Sequence, residues 1–338
     1  MSKVRVAVIG TGRIGKMHAR NIKYFIPNAE VIAVADVAWE TAKNCAEELG
    51  IPRAEKDYRR LLEEKNLDAV IICTSTDTHA QIIKDAASAK KHVFCEKPIA
   101  LTLKEIDDVL QVVNSEKVKF QVGFQRRFDV NFQKAKECIQ TGKIGDPHVL
   151  KITSRDSVPP PPEYVKGSGG IFLDMTIHDF DMARYLLEDE VEEVYAIGSV
   201  LVDPRIGRLG DVDTAVVTLR FRSGTLGVID NSRQAVYGYD QRVEVLGSKG
   251  MLIVQNPTSD TTLLSNENGT LSSPLLHFFI ERYTEAYINE IRAFIEAIIE
   301  DKDPPVTGED GRIPVVIAYA AQKSLNENRP VKLSEIAA

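Results

Sequence analysis

Between Val4 and Val122 the chain alternates short, β-branched apolar runs with stretches whose apolar residues recur every three to four positions. The short runs are flanked by turn residues and predict strands at Val4–Ile9, Val31–Ala35, Ala69–Cys73, His92–Cys95 and Val118–Val122. The periodic stretches predict helices between them, at Ile14–Phe25, Trp39–Leu49, Tyr58–Glu64, Thr78–Ala89 and Leu103–Glu116. Strands apolar on both faces, separated by amphipathic helices, imply a doubly wound parallel sheet. From about residue 123 the texture changes. A helix near Phe128–Gln140 leads into longer strands with clean alternation, as in Asp213–Phe221, the mark of an antiparallel sheet with one covered face. Arg242–Val254, turning at Gly247–Gly250, reads as a hairpin within that sheet. Helices near Ile280–Glu300 and Arg312–Asn326 close the chain. The fold class is therefore α/β, with residues 1–122 as one domain and residues 123–338 as an α+β domain built on a large, mainly antiparallel open sheet.

A length of 338 residues is about twice that of a common domain, which agrees with that division. The formal net charge of -7 argues against a nucleic-acid-binding surface and favours neutral polar ligands. Cys45, Cys73, Cys95 and Cys138 lie far apart with no metal-ligand spacing, so they read as buried thiols of a reducing compartment, the cytoplasm. No apolar run reaches the ~20 residues that span a bilayer, and Met1-Ser2-Lys3 leads straight into a strand, so neither a membrane segment nor an export signal is expected.

The first chemical motif is Gly10-Thr11-Gly12-Arg13-Ile14-Gly15. It follows a predicted strand and opens a predicted helix, where glycines permit a tight turn and the helix N-terminus faces a pyrophosphate. Asp36 ends the second strand, where a carboxylate accepts hydrogen bonds from ribose hydroxyls. Val37 and Ala38 supply no cation for a 2′-phosphate, so NAD is expected rather than NADP. The competing readings are a glycine turn in an unrelated α/β protein and a methyltransferase nucleotide site. Thr74, Ser75 and Thr76 follow the strand Ala69–Cys73 at its carboxyl end and are expected to line the cofactor cleft, with capping of the next helix by Thr76 or Asp77 as the plainer role. His79, in the first turn of that helix, is expected to be a neutral, packed or cofactor-adjacent histidine. Glu96 and Lys97 sit just beyond the strand His92–Cys95, so the Lys97 ammonium can point into the space of the nicotinamide, with a solvated lysine as the plainer reading. Pro98 predicts a constrained Lys97–Pro98 bond, cis being the form that a sharp turn retains.

The second domain carries Asp174-Met175-Thr176-Ile177-His178-Asp179-Phe180-Asp181 after a glycine-rich entry. On a helix, Asp174 and His178 share a face with Asp181, and a carboxylate beside an imidazole can handle a proton. An exposed helix salt bridge and a metal site with another acid remain open at this point.

The order GTGRIG, CTSTDTH, CEKPIA, GFQRRFD and GGIFLDMTIHDFDMARYL resembles the Gfo/Idh/MocA oxidoreductases over essentially the whole chain, and within them the bacterial inositol 2-dehydrogenases. The resemblance implies a Rossmann domain followed by a substrate-binding and oligomerisation domain, NAD as cofactor, no metal, and a homotetramer. It implies that Lys97, Asp174 and His178 form the catalytic group, and it places Arg127, Asp156 and Tyr239 near polyol and nicotinamide. The expected reaction is NAD-dependent oxidation of myo-inositol to 2-keto-myo-inositol. Scyllo-inositol or a pyranose such as glucose is the alternative substrate, and a non-catalytic dinucleotide sensor the alternative class.

Overall fold

A computed structural model describes residues 3–336. In chain order the first elements are β1 (Val4–Ile9), α1 (Arg13–Phe25), β2 (Ala29–Ala35), α2 (Trp39–Leu49), β3 (Ala54–Glu55), α3 (Arg59–Leu62), β4 (Ala69–Ile72), α4 (Thr76–Ser88), β5 (His92–Glu96), α5 (Leu103–Glu116) and β6 (Phe120–Gly123). The six strands form one sheet in the order β3-β2-β1-β4-β5-β6, parallel throughout. Strand order reverses between β1 and β4, the switch point at which such sheets open a crevice for ligands. β1 and β4 are buried along nearly their whole length because helices cover both faces.

Next come α6 (Val130–Gln140), β7 (Pro147–Arg155), α7 (Pro162–Ser168), a π-helical turn at Phe172–Thr176, α8 (Ile177–Leu187), β8 (Val191–Ser199), α9 (Pro204–Gly207), β9 (Thr214–Phe221), β10 (Leu226–Ser232), β11 (Asp240–Gly247) and β12 (Gly250–Val254). A short hairpin, β13 (Leu263–Asn266) and β14 (Gly269–Ser272), precedes α10 (Phe279–Arg282), α11 (Thr284–Ile299), α12 (Gly308–Glu327) and β15 (Val331–Lys332). The second sheet has the order β12-β11-β7-β10-β9-β8-β15, antiparallel except for the β7/β10 pair. From Ala215 to Phe221 of β9 buried and exposed residues alternate strictly, as the period-2 pattern requires.

The chain divides into two compact units, residues 3–128 with Glu285–Ile313, and Asp129–Thr284 with residues 314–336. Division of the sequence at residues 122 and 123 places Glu285–Ile313 in the second domain, whereas that segment packs with the first. The reason is apolar burial. Ile291, Phe294 and Ile295 of α11 enter the core formed by Val6 and Val8 of β1, Ile22 of α1, Ile71 of β4 and Phe94 of β5. The expected hairpin at Arg242–Val254 is β11 and β12, and the expected helix at Tyr58–Glu64 is only the single turn α3.

Candidate active site

In the first unit, the glycine turn joins β1 to α1. A Cβ on Gly10, whose φ is +87°, would lie 2.6 Å from the carbonyl carbon of Cys73, and one on Gly15 would lie 1.8 Å from the Gly10 carbonyl oxygen. These two glycines let β1, α1 and the end of β4 close on one another. Gly12 differs: a Cβ there meets nothing within 4 Å, so its backbone faces open space at the N-terminus of α1. Asp36 accepts the Thr11 N–H at 2.7 Å and the Thr11 hydroxyl at 3.1 Å on one oxygen, and the Ala38 N–H at 2.9 Å on the other. Three of about four lone-pair directions are used, which leaves the carboxylate able to accept another donor.

Gly10, Gly12, Asp36, Thr74 and Ser75 line one cleft of about 490 Å³. Lys56 and Tyr58, from the β3–α3 connection, and Arg59, the first residue of α3, line it too. The cations Lys56 and Arg59 were not legible beside Val37 and Ala38, because a strand of two residues is too short to carry a periodic signal that would place the connection after it. Thr76 opens α4 rather than preceding it, and neither it nor Asp77 is the cap: Ser75 holds the N-cap position with no side-chain bond. Thr78 instead donates its hydroxyl to Thr74 Oγ1 at 2.7 Å, which ties the helix start to the strand end.

His79 is buried between two carbonyls, Nδ1 at 2.8 Å from Pro98 O and Nε2 at 3.1 Å from Thr74 O. Burial lowers its pKa, and the two carbonyls oppose that shift. A neutral imidazole carries one N–H, so a single strong donation is available, and the shorter contact marks Pro98. The ring thereby couples the carboxyl ends of β4 and β5. The Lys97–Pro98 peptide is cis, and Lys97 is half-buried. Arg127, in the 3-10 turn Gln125–Phe128, is buried and donates to Asp310 at 2.9 Å. Burial raises the Asp310 carboxyl, but the Arg127 charge and the Thr307 donors outweigh it and hold it below its ordinary value.

In the second unit, Asp174 lies in the π-helical turn and His178 in the first turn of α8. His178 is the one residue from Ile171 to Ala183 that is not buried. Asp174, only 9% exposed, accepts the Tyr164 hydroxyl at 2.8 Å and Nη1 of Arg233 at 2.9 Å. An exposed helix salt bridge is thereby ruled out for this carboxylate. The same Arg233 nitrogen is 3.7 Å from Asp156, so one buried guanidinium brings together two of the expected substrate residues. Burial opposes the Arg233 charge, yet Asp174, Asp156 and Asp211 together raise its pKa. Asp181 is buried. Asn231 on β10 fixes the helix to the sheet, donating to Asp179 at 2.8 Å and accepting from Thr176 at 2.6 Å. Tyr239 is buried edge-on against Tyr283, with ring centroids 6.2 Å apart.

Residues 4–124 match an oxidoreductase family described as having an NAD-binding Rossmann fold, and residues 132–253 match the GFO/IDH/MocA C-terminal domain. The chain belongs to the GFO/IDH/MocA oxidoreductase family. It is 53% identical over 333 residues to a Myo-inositol 2-dehydrogenase of Thermotoga maritima, covering 98% of this chain and 99% of that one. An Inositol 2-dehydrogenase of Rhizobium meliloti is 44% identical, with 98% and 99% covered. A crystal structure of scyllo-inositol dehydrogenase from Lactobacillus casei, with bound NAD(H) and scyllo-inositol, superposes with a TM-score of 0.93 at 33% identity, over 98% of this chain and 100% of that one.

As a GFO/IDH/MocA oxidoreductase the chain uses NAD, and the open face of Gly12 with the spare accepting capacity of Asp36 fits that cofactor. Gly10, Thr11, Gly12, Asp36, Thr74 and Ser75 would hold it. Two partners of Asp174, Tyr164 and Arg233, were not legible in the sequence of this oxidoreductase. Arg233 follows the last residue of β10, a strand of mixed polarity, where an arginine reads as a solvated charge, and Tyr164 stands in the proline-rich segment that has no period.

Proposed function

We propose that this chain catalyses NAD-dependent oxidation of myo-inositol to 2-keto-myo-inositol, with Lys97, Asp174 and His178 as its catalytic group. The observation that carries this reading is the end-to-end similarity to a protein named for that activity, at 53% identity. NAD supplies the hydride acceptor. His178 accepts the proton of the reacting hydroxyl as the C–H bond breaks, and its partial exposure within an otherwise buried stretch supports that role. Lys97 donates a hydrogen bond to the same oxygen and stabilises its developing negative charge. Asp174 orients and stabilises the imidazolium. Its own fixed position, between Tyr164 and Arg233, supports a positioning carboxylate rather than a mobile one. Asp156, Arg127 and Tyr239 contribute polyol and nicotinamide contacts, and His79 and Glu96 shape the cofactor side.

Initial rates with NAD and NADP against myo-inositol, scyllo-inositol and glucose test cofactor, reaction and substrate together. Preference for myo-inositol with NAD is expected; a protein that forms no NADH with any of them would be the dinucleotide sensor instead. Scyllo-inositol is the second reading, favoured by the structural similarity to a dehydrogenase of that isomer. The enzyme acts in the cytoplasm as a homotetramer in polyol catabolism. Exposed Ile197, Val216, Leu226, Leu246, Met251 and Ile253 on the second sheet support self-association, which light scattering would read as a fourfold mass.

A further inference from the structure

One residue before Lys97, Glu96 meets two titratable side chains that the proposed chemistry does not use. His18 of α1 places Nε2 2.7 Å from Glu96 Oε1 and 3.9 Å from Glu290 Oε1 of α11. The His18 and Glu290 side chains are wholly buried, and that of Glu96 is 16% exposed. Neither Glu290 oxygen has a hydrogen-bond partner among the described residues. This is a constructed site. His18 is held edge-on between Phe94 and Tyr287, at centroid distances of 5.4 and 5.8 Å, and the Glu290 carbonyl accepts from Gln121 of β6 at 2.8 Å. On its other side Glu96 faces Gly123 in register, where a Cβ would come within 3.0 Å of Oε2.

The spacing suits a hydrogen-bonded clamp better than an ion. Nitrogen and oxygen ligands at about 2.0–2.2 Å from a tetrahedral metal stand more than ~3 Å apart, whereas His18 and Glu96 are at hydrogen-bond distance. The ionisable neighbours are Cys73, just after β4, and Cys95 of β5, both raised by burial, His79 of α4, lowered by burial, and Tyr287 of α11. None is a cation that would stabilise a second carboxylate. Burial first, and the Glu96 charge second, push the Glu290 carboxyl well above its ordinary range, and with no donor beside either oxygen the protonated form is favoured.

We propose that His18 and Glu290 are positioning residues for the reaction: the imidazole clamps the Glu96 carboxylate, the neutral Glu290 leaves Glu96 as its sole anionic partner, and the clamped β5 end fixes where Lys97 presents its amine. Were Glu290 ionised, a second carboxylate would compete for the same Nε2 and repel Glu96. The inference rests on the role given to Lys97 above.

The test compares His18→Phe, which keeps the ring packing, with His18→Gln, which keeps a donor, and with Glu290→Gln, which mimics the neutral acid. His18→Phe should lower kcat about tenfold or more while KM for the polyol and NADH affinity stay within about twofold, and His18→Gln should recover part of the loss. Glu290→Gln should retain kcat at neutral pH and flatten the alkaline fall of the wild-type profile. Two readouts need no turnover: the NMR signal of the Lys97 side chain should move in His18→Phe, and an infrared carboxylic-acid band at pH 7 should vanish in Glu290→Gln. An unmoved Lys97 signal, a missing acid band, or stoichiometric divalent-metal uptake abolished by His18→Phe would each overturn the clamp. A wild-type protein without polyol-dependent NADH formation would instead sink the proposed function, and the Lys97 signal and acid band would still decide the clamp.

Discussion

The Asp174–Arg233 pair joins stability and the proposed chemistry in one contact. Both side chains are withdrawn from water, with 10% and 3% exposure, so loss of one leaves the other a buried, uncompensated charge. Breaking such a pair typically costs about 3–5 kcal/mol, so Arg233→Met should lose stability of that order in urea unfolding, with kcat falling alongside. Glu290 makes a different prediction. Its folded pKa is raised above its unfolded value by burial, so its contribution is fully present below the ordinary carboxyl range and is lost as pH rises toward the raised value. Glu290→Gln removes this dependence. The melting temperature of the variant minus that of the wild type should therefore grow between acid and mildly alkaline pH, in a scan at matched ionic strength. A constant difference would show that Glu290 ionises in place.

At the scale of elements, the glycine turn separates folding from cofactor binding. Gly12→Ala meets no protein atom and keeps an ordinary backbone angle, so its melting temperature should match the wild type while NAD affinity drops about tenfold, a contact worth about 1.4 kcal/mol. Gly15→Ala collides with the Gly10 carbonyl and should lose both, as calorimetry with and without NADH would show. Legibility in the sequence divides along the same line between local and distant contacts. The strands at Val4–Ile9 and His92–Cys95 and the helices at Trp39–Leu49 and Leu103–Glu116 were legible because period and turn signals are local. β3 was not, since two residues carry no period. The Phe172–Thr176 segment reads as a plain helix because its widened turn leaves the apolar pattern unchanged. In the site, glycines and Asp36 were legible from one stretch of chain. His18, Arg233 and Glu290 were not, because each acquires meaning only from a partner tens of residues or more away.

On the scale of the whole molecule, the first unit is discontinuous. α11 shows an amphipathic face in sequence, but the pattern cannot say which sheet that face covers. The structure assigns it to the first, through Ile291, Phe294 and Ile295. A fragment ending at Phe128 should therefore aggregate or remain molten, whereas the same fragment joined by a flexible linker to residues 285–313 should melt cooperatively and bind NADH. Cooperative melting of the short fragment would contradict the assignment.

The split core also bears on biosynthesis. The dinucleotide unit is nearly all translated early, yet the helix that seals it emerges from the ribosome only after every strand of the second sheet except β15. At about 5–20 residues per second, the nascent N-terminal portion waits on the order of tens of seconds with its apolar flank uncovered. Chaperone engagement is expected within that interval, and ribosome profiling of chaperone-bound nascent chains should show it ending once Ile313 has cleared the exit tunnel.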